Sequence, residues 1–320
     1  MSKVFIELPT WLGDTVMATP AIENLLKTYP NAQLTVFGSF VATELFKHHP
    51  KVERVIVDTS KQSKNRLLHL YKIARIVGKF DLALSFRSSF ASKWLLLCLS
   101  ARKKTLYRRT RNGSQDDLHQ VVRYNDFVNH ALGQNLEPAD LTLFTARISQ
   151  PTHCKPLLGI NPGSTYGSAK RWYPNEFAHV AMALSKNFDI VILGGSKEKD
   201  IAHDIEQLLK EQGITNVTNR AGTMSIEQLI EQIAQLDILI TNDSGPMHVA
   251  AAFKIKTVAI FGPTNHIETH QWHNPNEFIL RKPTECAPCM QRECPLKHHH
   301  CMKDIHAQDV LLALSKQNWI

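Results

Sequence analysis

The chain reads as an α/β protein of two doubly wound parallel-sheet domains, and three observations predict it. Short β-type runs alternate with helical stretches through both halves, the pattern of parallel strands covered by helices. Several of these runs end in polar, glycine-bearing turns, the place where open α/β sheets take their ligands. Between the halves, residues 136–156 hold three prolines and little periodicity, which puts a linker near residue 150 and the domains at 1–150 and 151–320. The final helix is left free to pack back on the first domain.

Along the chain, the first strand is expected at 4–8, opening on Val4-Phe5-Ile6, and it breaks into Pro9-Thr10-Trp11-Leu12-Gly13-Asp14 before a helical run. Apolar β-type runs at 34–37, 55–58 and 82–86 complete the first sheet. In the second half the corresponding runs are 157–161, 190–193, 238–241 and 257–261. Between 64 and 79 the repeat is helical: Lys64, Lys72, Arg75 and Lys79 fall on one side, Leu67, Leu70, Tyr71, Ala74 and Val77 on the other.

With 320 residues, 43% hydrophobic and 21% charged, the chain has the composition of a soluble globular protein able to bury two cores. Its longest apolar run, Trp94-Leu95-Leu96-Leu97-Cys98-Leu99, is far short of the roughly 20 residues that cross a bilayer. Glu7 and Asp14 interrupt what would be the apolar core of a signal peptide, so a cytoplasmic location is expected, with the six cysteines reduced. The net charge of +8 is unevenly placed, since residues 59–115 carry 14 Lys and Arg against the single acid Asp81. One cluster is Arg102, Lys103, Lys104, Arg108, Arg109 and Arg111. Such a field suits an acidic partner, and nucleic acid, anionic lipid and a phosphorylated sugar all fit, as does a solvated face with no partner.

The most informative segment is Ile238-Leu239-Ile240-Thr241-Asn242-Asp243-Ser244-Gly245-Pro246-Met247-His248, a buried strand that breaks into a polar turn and opens a helical run. Asp243 or Ser244 suits the helix cap, Pro246 fits the first turn, and Gly245 lets a ligand approach the backbone. The free amides and positive dipole end of such a helix favour phosphate. Asp14, at the same edge of the first strand, is a candidate base, and equally an ordinary helix cap. The glycines of the dinucleotide fingerprint are absent there. After the strand at 157–161, Gly163, Ser164 and Thr165 precede Lys170 and Arg171, whose charge suits a diphosphate. Gly194-Gly195-Ser196-Lys197-Glu198 and Ala221-Gly222-Thr223-Met224-Ser225 follow strands at the same sheet edge.

Leu12-Gly13-Asp14-Thr15-Val16-Met17-Ala18-Thr19-Pro20 and the run from Asn242 to Ala252, with Phe261-Gly262-Pro263-Thr264, resemble the bacterial lipopolysaccharide heptosyltransferases, glycosyltransferase family 9, over nearly the whole chain. Pro162-Gly163, Ala169-Lys170-Arg171-Trp172 and the tail segments Cys286-Ala287-Pro288-Cys289, Arg292-Glu293-Cys294-Pro295 and His299-His300-Cys301-Met302 resemble the branch that adds the second inner-core heptose. The resemblance implies the GT-B arrangement, two Rossmann-like domains facing a central cleft. It also implies inverting transfer of L-glycero-D-manno-heptose from ADP-heptose, without a cofactor, to heptosyl-Kdo-lipid A at the cytoplasmic leaflet of the inner membrane, and no role for nucleic acid. It makes Asp14 the catalytic base and Ser164, Thr165, Lys170, Glu198, Asp243, Ser244, Gly245, Met247 and His248 donor-binding, with Lys170 on the diphosphate; Thr223 and Met224 join that donor set from their loop at the same sheet edge. Arg102, Lys103, Lys104, Arg108, Arg109 and Arg111 would then meet the acceptor's carboxylates and phosphates. Competing readings are an enzyme adding the first heptose, a nucleotide-sugar epimerase of the same architecture, and a non-catalytic nucleotide-binding module. An epimerase needs no acceptor, and a binding module releases no ADP.

Cys286-x2-Cys289-x4-Cys294-x6-Cys301, with His298, His299 and His300 inside it, departs from paired Cys-x2-Cys knuckles. A structural metal and a packed thiol loop both fit that spacing, while catalysis itself is expected to need no metal. Cys98 and Cys154 read as isolated thiols, and Trp94, Trp172 and Trp272 as packing residues, with Trp172 also placed to line the donor crevice.

Overall fold

A computed structural model describes residues 3–109, 118–145 and 155–320. The chain divides into two compact units, Met1–Ala146 and Arg147–Ile320. The linker expected near residue 150, together with Arg111 and Cys154, lies outside the described residues.

The first unit is built on β1 (Lys3–Glu7), β2 (Gln33–Gly38), β3 (Val52–Val57), β4 (Lys79–Ser85) and β5 (Ser100–Leu106), in the order β3-β2-β1-β4-β5 with every pairing parallel. Its helices are α1 (Leu12–Met17), α2 (Thr19–Thr28), α3 (Phe40–Glu44), α4 (Arg66–Ile76), α5 (Phe90–Cys98) and α6 (Gln120–Leu132). Ser39, Asn65 and Ser89 accept amide hydrogens at the starts of α3, α4 and α5, which is why those helices begin where they do. β1 sits at the centre, and Val4, Phe5 and Ile6 are fully buried because helices cover both sheet faces. Phe5, Phe37 and Phe80 pack with Leu70 and Ala74 of α4 and Leu95 and Leu96 of α5.

Two details depart from the sequence reading. Strand β5 falls where only a basic cluster was expected; it is the sheet edge, and Lys side chains on an edge discourage a further strand from pairing. In α4, Tyr71 is 43% exposed and joins Lys72 and Arg75 on the outer side, while Gly78, at φ +101°, ends the turn so that Lys79 opens β4.

The second unit carries β6 (Leu157–Asn161), β7 (Asp189–Ile192), β8 (Val217–Asn219), β9 (Ile238–Asn242), β10 (Lys256–Ile260) and β11 (Glu277–Leu280), in the order β11-β10-β9-β6-β7-β8, again all parallel. Its helices are α7 (Pro174–Leu184), α8 (Lys199–Glu211), α9 (Ile226–Ala234), α10 (Gly245–Ala252), α11 (His266–Thr269), α12 (His300–Lys303) and α13 (Ala307–Lys316). β11, another edge strand, went unread because its residues are only half-buried and lack a clear alternation. The final helix, α13, buries Val310 and Leu314 in the core of this same unit. Among the described residues no helix is long and apolar enough to cross a membrane.

Candidate active site

The strand order of the second sheet reverses between β6 and β9, and both strands deliver side chains to the carboxyl end of that switch point. Asn161, closing β6, donates from Nδ2 to Thr241 Oγ1 and to Ser244 Oγ, each at 2.9 Å. Asn242, closing β9, donates to the Pro162 carbonyl at 2.7 Å and accepts from the Trp172 amide at 3.0 Å. These bonds tie the turn after β9 to both ends of the loop after β6. Asp243, 3% exposed, accepts on one carboxylate oxygen from Lys170 Nζ at 2.5 Å and from Thr264 Oγ1 at 2.6 Å. Removing either member of such a buried pair leaves uncompensated charge, so the two loops are locked together. Lys170 Nζ also stands 4.7 Å from the Tyr166 ring centroid.

Helix α10 rises from this turn. Ser244 takes its cap position, yet its side chain makes no capping bond, being engaged by Asn161. With Pro246 in the first turn, the positive end of α10 is left without a side-chain cap, which is the arrangement that receives an anion. His248 is 3% exposed, and its Nδ1 is buried with no hydrogen-bond partner among the described residues. Burial holds its pKa down to about 4, with Asp243 pulling it up and Lys170 pushing it further down, so the imidazole is neutral at physiological pH. On the neighbouring loop the Glu198 carboxylate accepts from the Gly195 amide at 2.7 Å and lies against Gly163, where any Cβ would collide with it.

The Cys-rich tail braces the site. Tyr166 donates through its hydroxyl to Met290 O at 2.7 Å, and the Ala169 amide donates to Arg292 O at 3.0 Å. His299 donates from Nε2 to Ala169 O at 2.8 Å, which leaves Nδ1 to accept from the Tyr173 hydroxyl at 3.0 Å. The Met290 amide donates to Pro263 O at 2.8 Å, so the loops supplying Lys170 and Thr264 are both held by one segment. Gly167 faces the Arg292 carbonyl so closely that no side chain fits. Cys286, Cys289, Cys294 and Cys301 line one small cavity with His298 and His299. Burial and the neighbouring thiols push Cys301 up to about 11, so it stays protonated. Among the described residues no three His, Cys, Asp or Glu side chains stand so as to hold a metal ion.

In the first unit the switch point lies between β1 and β4. Asp14 sits half-buried in the first turn of α1, and its charge, like that of Arg109, reaches the buried Tyr107 and Tyr124 hydroxyls. Sequence reasoning missed the network beneath. Glu7 accepts from Ser85 Oγ at 2.5 Å and Ser92 Oγ at 2.9 Å, and Arg87 Nη1 lies 3.5 Å from Glu7 and 3.4 Å from Asp58. Arg87 Nε donates to Leu8 O at 2.7 Å, while its buried Nη2 has no partner among the described residues. Burial raises the Glu7 pKa against the opposing pull of Arg87. The available signal was positional: Glu7 closes an apolar strand, and Arg87 follows β4 within Ser85-Phe86-Arg87-Ser88-Ser89. Trp11, Phe40 and Phe90, exposed by 49%, 56% and 70%, stand where α1, α3 and α5 begin, at the same carboxyl edge.

Of the sequence-predicted donor set, the structure gathers Lys170, Asp243, Ser244, Gly245 and His248 at one edge, with Glu198 on the adjoining loop. Ser164 is buried and its carbonyl accepts from the Arg171 guanidinium at 3.2 and 3.3 Å, whereas Thr165 is exposed. Thr223 and Met224 follow the outer strand β8, two strands away from β6. The side chain of Met247 does not line the site: it is fully buried against Ala259 and Phe261, because its place on α10 points into the sheet. Trp172 is likewise buried, donating from Nε1 to Ile305 O at 2.8 Å and meeting Phe177 edge-on. The basic cluster divides. Arg102, Lys103 and Lys104 lie on β5, Arg102 being 3.7 Å from Asp81 near the amino end of the sheet, while Arg108 and Arg109 follow β5 at the carboxyl end.

Two Rossmann-like parallel-sheet domains, the second with an anion-receptive switch point, have the architecture of the GT-B glycosyltransferases. The chain belongs to glycosyltransferase family 9, the heptosyltransferase family, whose model matches residues 72–300, and it is a glycosyltransferase. It is 41% identical over 314 residues to lipooligosaccharide heptosyltransferase 2 of Campylobacter jejuni serotype O:2, covering 97% of this chain and 96% of that protein. The fold is similar to that of Escherichia coli ADP-heptose LPS heptosyltransferase II, with a TM-score of 0.78 and 24% identity over 99% of this chain and 100% of the other. A family 9 glycosyltransferase from Veillonella parvula matches with a TM-score of 0.82 and 22% identity over 98% and 96%.

Proposed function

We propose that this glycosyltransferase moves L-glycero-D-manno-heptose from ADP-heptose, with inversion, to the first heptose of the lipopolysaccharide inner core. The observation that carries the reading is the Lys170–Asp243–Thr264 cluster beside the uncapped start of α10, which suits a departing diphosphate. The choice of sugar and acceptor is supported by the full-length likeness to the Campylobacter jejuni heptosyltransferase 2. In this reading an acceptor hydroxyl attacks the anomeric carbon, and the bond to ADP breaks with its electron pair passing to the phosphate oxygen. The hydroxyl proton passes to the Asp14 carboxylate. Lys170 and the α10 dipole stabilise the charge that grows on ADP. Ser164, Thr165, Glu198, Thr223 and Met224 complete the donor set through their loops, and Arg108, Arg109 and Arg111 attract the acidic groups of the acceptor. No cofactor has a part in these steps, and the protein works at the surface of the membrane that holds its lipid acceptor.

The test is incubation with ADP-heptose and truncated lipopolysaccharides carrying zero, one or two heptoses, following ADP release and product mass. Gain of one heptose on the one-heptose acceptor alone is expected. Transfer to the acceptor without heptose would make this a first-heptose enzyme, and conversion of the nucleotide sugar without acceptor would make it an epimerase.

A further inference from the structure

We propose that the outer side of the α4–α5 layer, together with the edge strand β5, is the surface that docks this protein on an anionic lipid bilayer. The two helices lie side by side on one face of the first sheet, joined by Trp94 Nε1 donating to Leu67 O at 3.0 Å. Their inner sides bury Leu70, Ala74, Leu95 and Leu96, and a solvated layer would be polar outside. The outer side instead presents Leu68, Tyr71, Ile76, Phe90 and Leu97, with Ile76 71% and Leu97 69% exposed. Leu68, Tyr71, Lys72, Arg75 and Ile76 share one arc of α4, and Phe90, Lys93 and Leu97 recur along α5 at helical spacing.

Around these apolar tips stand exposed cations: Lys72, Arg75 and Lys79, then Lys93, then Lys103 and Lys104 on β5. Asp81, the one acid between residues 59 and 115, is engaged by the Lys3 amide and by Arg102. Isolated aliphatic and aromatic tips inside a field of long cations match a leaflet surface. The basic heads reach lipid phosphates while their stems and the apolar tips enter the headgroup boundary. Nucleic acid would find no use for Ile76 and Leu97, and the core of a stable protein interface is depleted in lysine. Arg102, Lys103 and Lys104 thereby turn to the lipid rather than to the acceptor sugar. α5 begins at the carboxyl edge of the sheet, next to β4, so the docked layer borders the edge that carries Asp14. The inference deepens the proposed function, in which the acceptor is a lipid-anchored saccharide.

The test is cosedimentation of the full chain with phosphatidylcholine vesicles, with and without phosphatidylglycerol, paired with transfer to a lipid-free heptosyl oligosaccharide and to vesicle-embedded acceptor. Binding only to the anionic vesicles, weakening with salt, is expected. Each cation near a charged leaflet is worth roughly fivefold in partitioning, so neutralising Lys72, Arg75, Lys103 and Lys104 to Gln lowers it by about 100-fold or more. Ile76→Ser with Leu97→Ser lowers partitioning by about tenfold at every salt concentration. Both variants keep wild-type transfer to the lipid-free acceptor and lose it on vesicles. Wild-type vesicle binding by both variants, equal binding to neutral vesicles, or a salt-independent dimer abolished by Ile76→Ser with Leu97→Ser would overturn the proposal. Vesicle binding as described without any heptose transfer would sink the enzymatic reading and leave the docking surface standing.

Discussion

Both units reverse their strand order beside their first strand, at β1–β4 in one and β6–β9 in the other, and the two edges carry different chemistry on one topology. At β6–β9 the side chains hold one another: Asn161 takes Thr241 and Ser244, Asn242 takes Pro162, and Asp243 takes Lys170 and Thr264. What remains available is the start of α10 and the N–H donors of Lys170 that Asp243 does not take, both suited to an anion. At β1–β4 the interlocked groups are Glu7, Asp58, Arg87, Ser85 and Ser92, and above them lie Asp14, Arg109 and the aromatic Trp11, Phe40 and Phe90. A doubly wound sheet therefore decides where a ligand sits, while the residues just past each strand decide which ligand it is.

The sharpest way to break this comparison is Asp14→Asn. A general base supplies about 100-fold or more, so turnover falls by that factor while ADP affinity measured by calorimetry stays within about twofold. Normal turnover in a folded variant removes Asp14 from the chemistry. Lys170→Met is expected to show the opposite signature, about a 50-fold loss shared between ADP affinity and kcat/KM, because the charge proposed to face the diphosphate is gone. Wild-type ADP binding there would move the donor site away from β6–β9, and a melting curve separates that loss from the cost of leaving Asp243 unpaired.

A stability titration sharpens the contrast next. His248 has a folded pKa of about 4 against 6.5 for a free imidazole, so the unfolded chain takes up the proton first as pH falls. Its contribution is fully present above about pH 6.5 and is lost on the way down to about pH 4, with about 2 kcal/mol gone by pH 5. His248→Asn removes this component, and coincident pH profiles for variant and wild type would show that His248 is not held neutral by burial. The smallest effect belongs to the brace: His299→Ala loses two hydrogen bonds, costing about 1 kcal/mol, and loosens ADP binding a few-fold through the Lys170 loop. Unchanged ADP affinity would reduce the tail to a passive cover.

Much of the β6–β9 edge was legible because it is local. A buried strand, a polar turn and Pro246 in a helical first turn follow from neighbouring residues, and so do the loops holding Lys170 and Glu198. Met247 shows the limit of that locality: its place in sequence beside Asp243 puts it in the same turn, but the helix turns its side chain into the sheet. Tyr71 was misplaced for the related reason that an apolar character suggested the inner side of α4, while its position on the helix puts it outside. β5 was concealed because edge strands are half solvated and carry the lysines that also mark a binding surface.

By itself the amino-acid order determined the two-domain α/β plan, the strand-turn-helix units and the family, since hydrophobic period, turn residues and short motifs act over a few positions. Tertiary structure alone decided who meets whom. Asp243 finds Lys170 across 73 residues, Glu7 finds Ser85 across 78, and the Cys-rich tail reaches back 130 residues from His299 to Ala169. Those partners are brought together by strand order and loop packing, and neither is written in the spacing of any one segment, because a long-range contact depends on the whole sheet being assembled first.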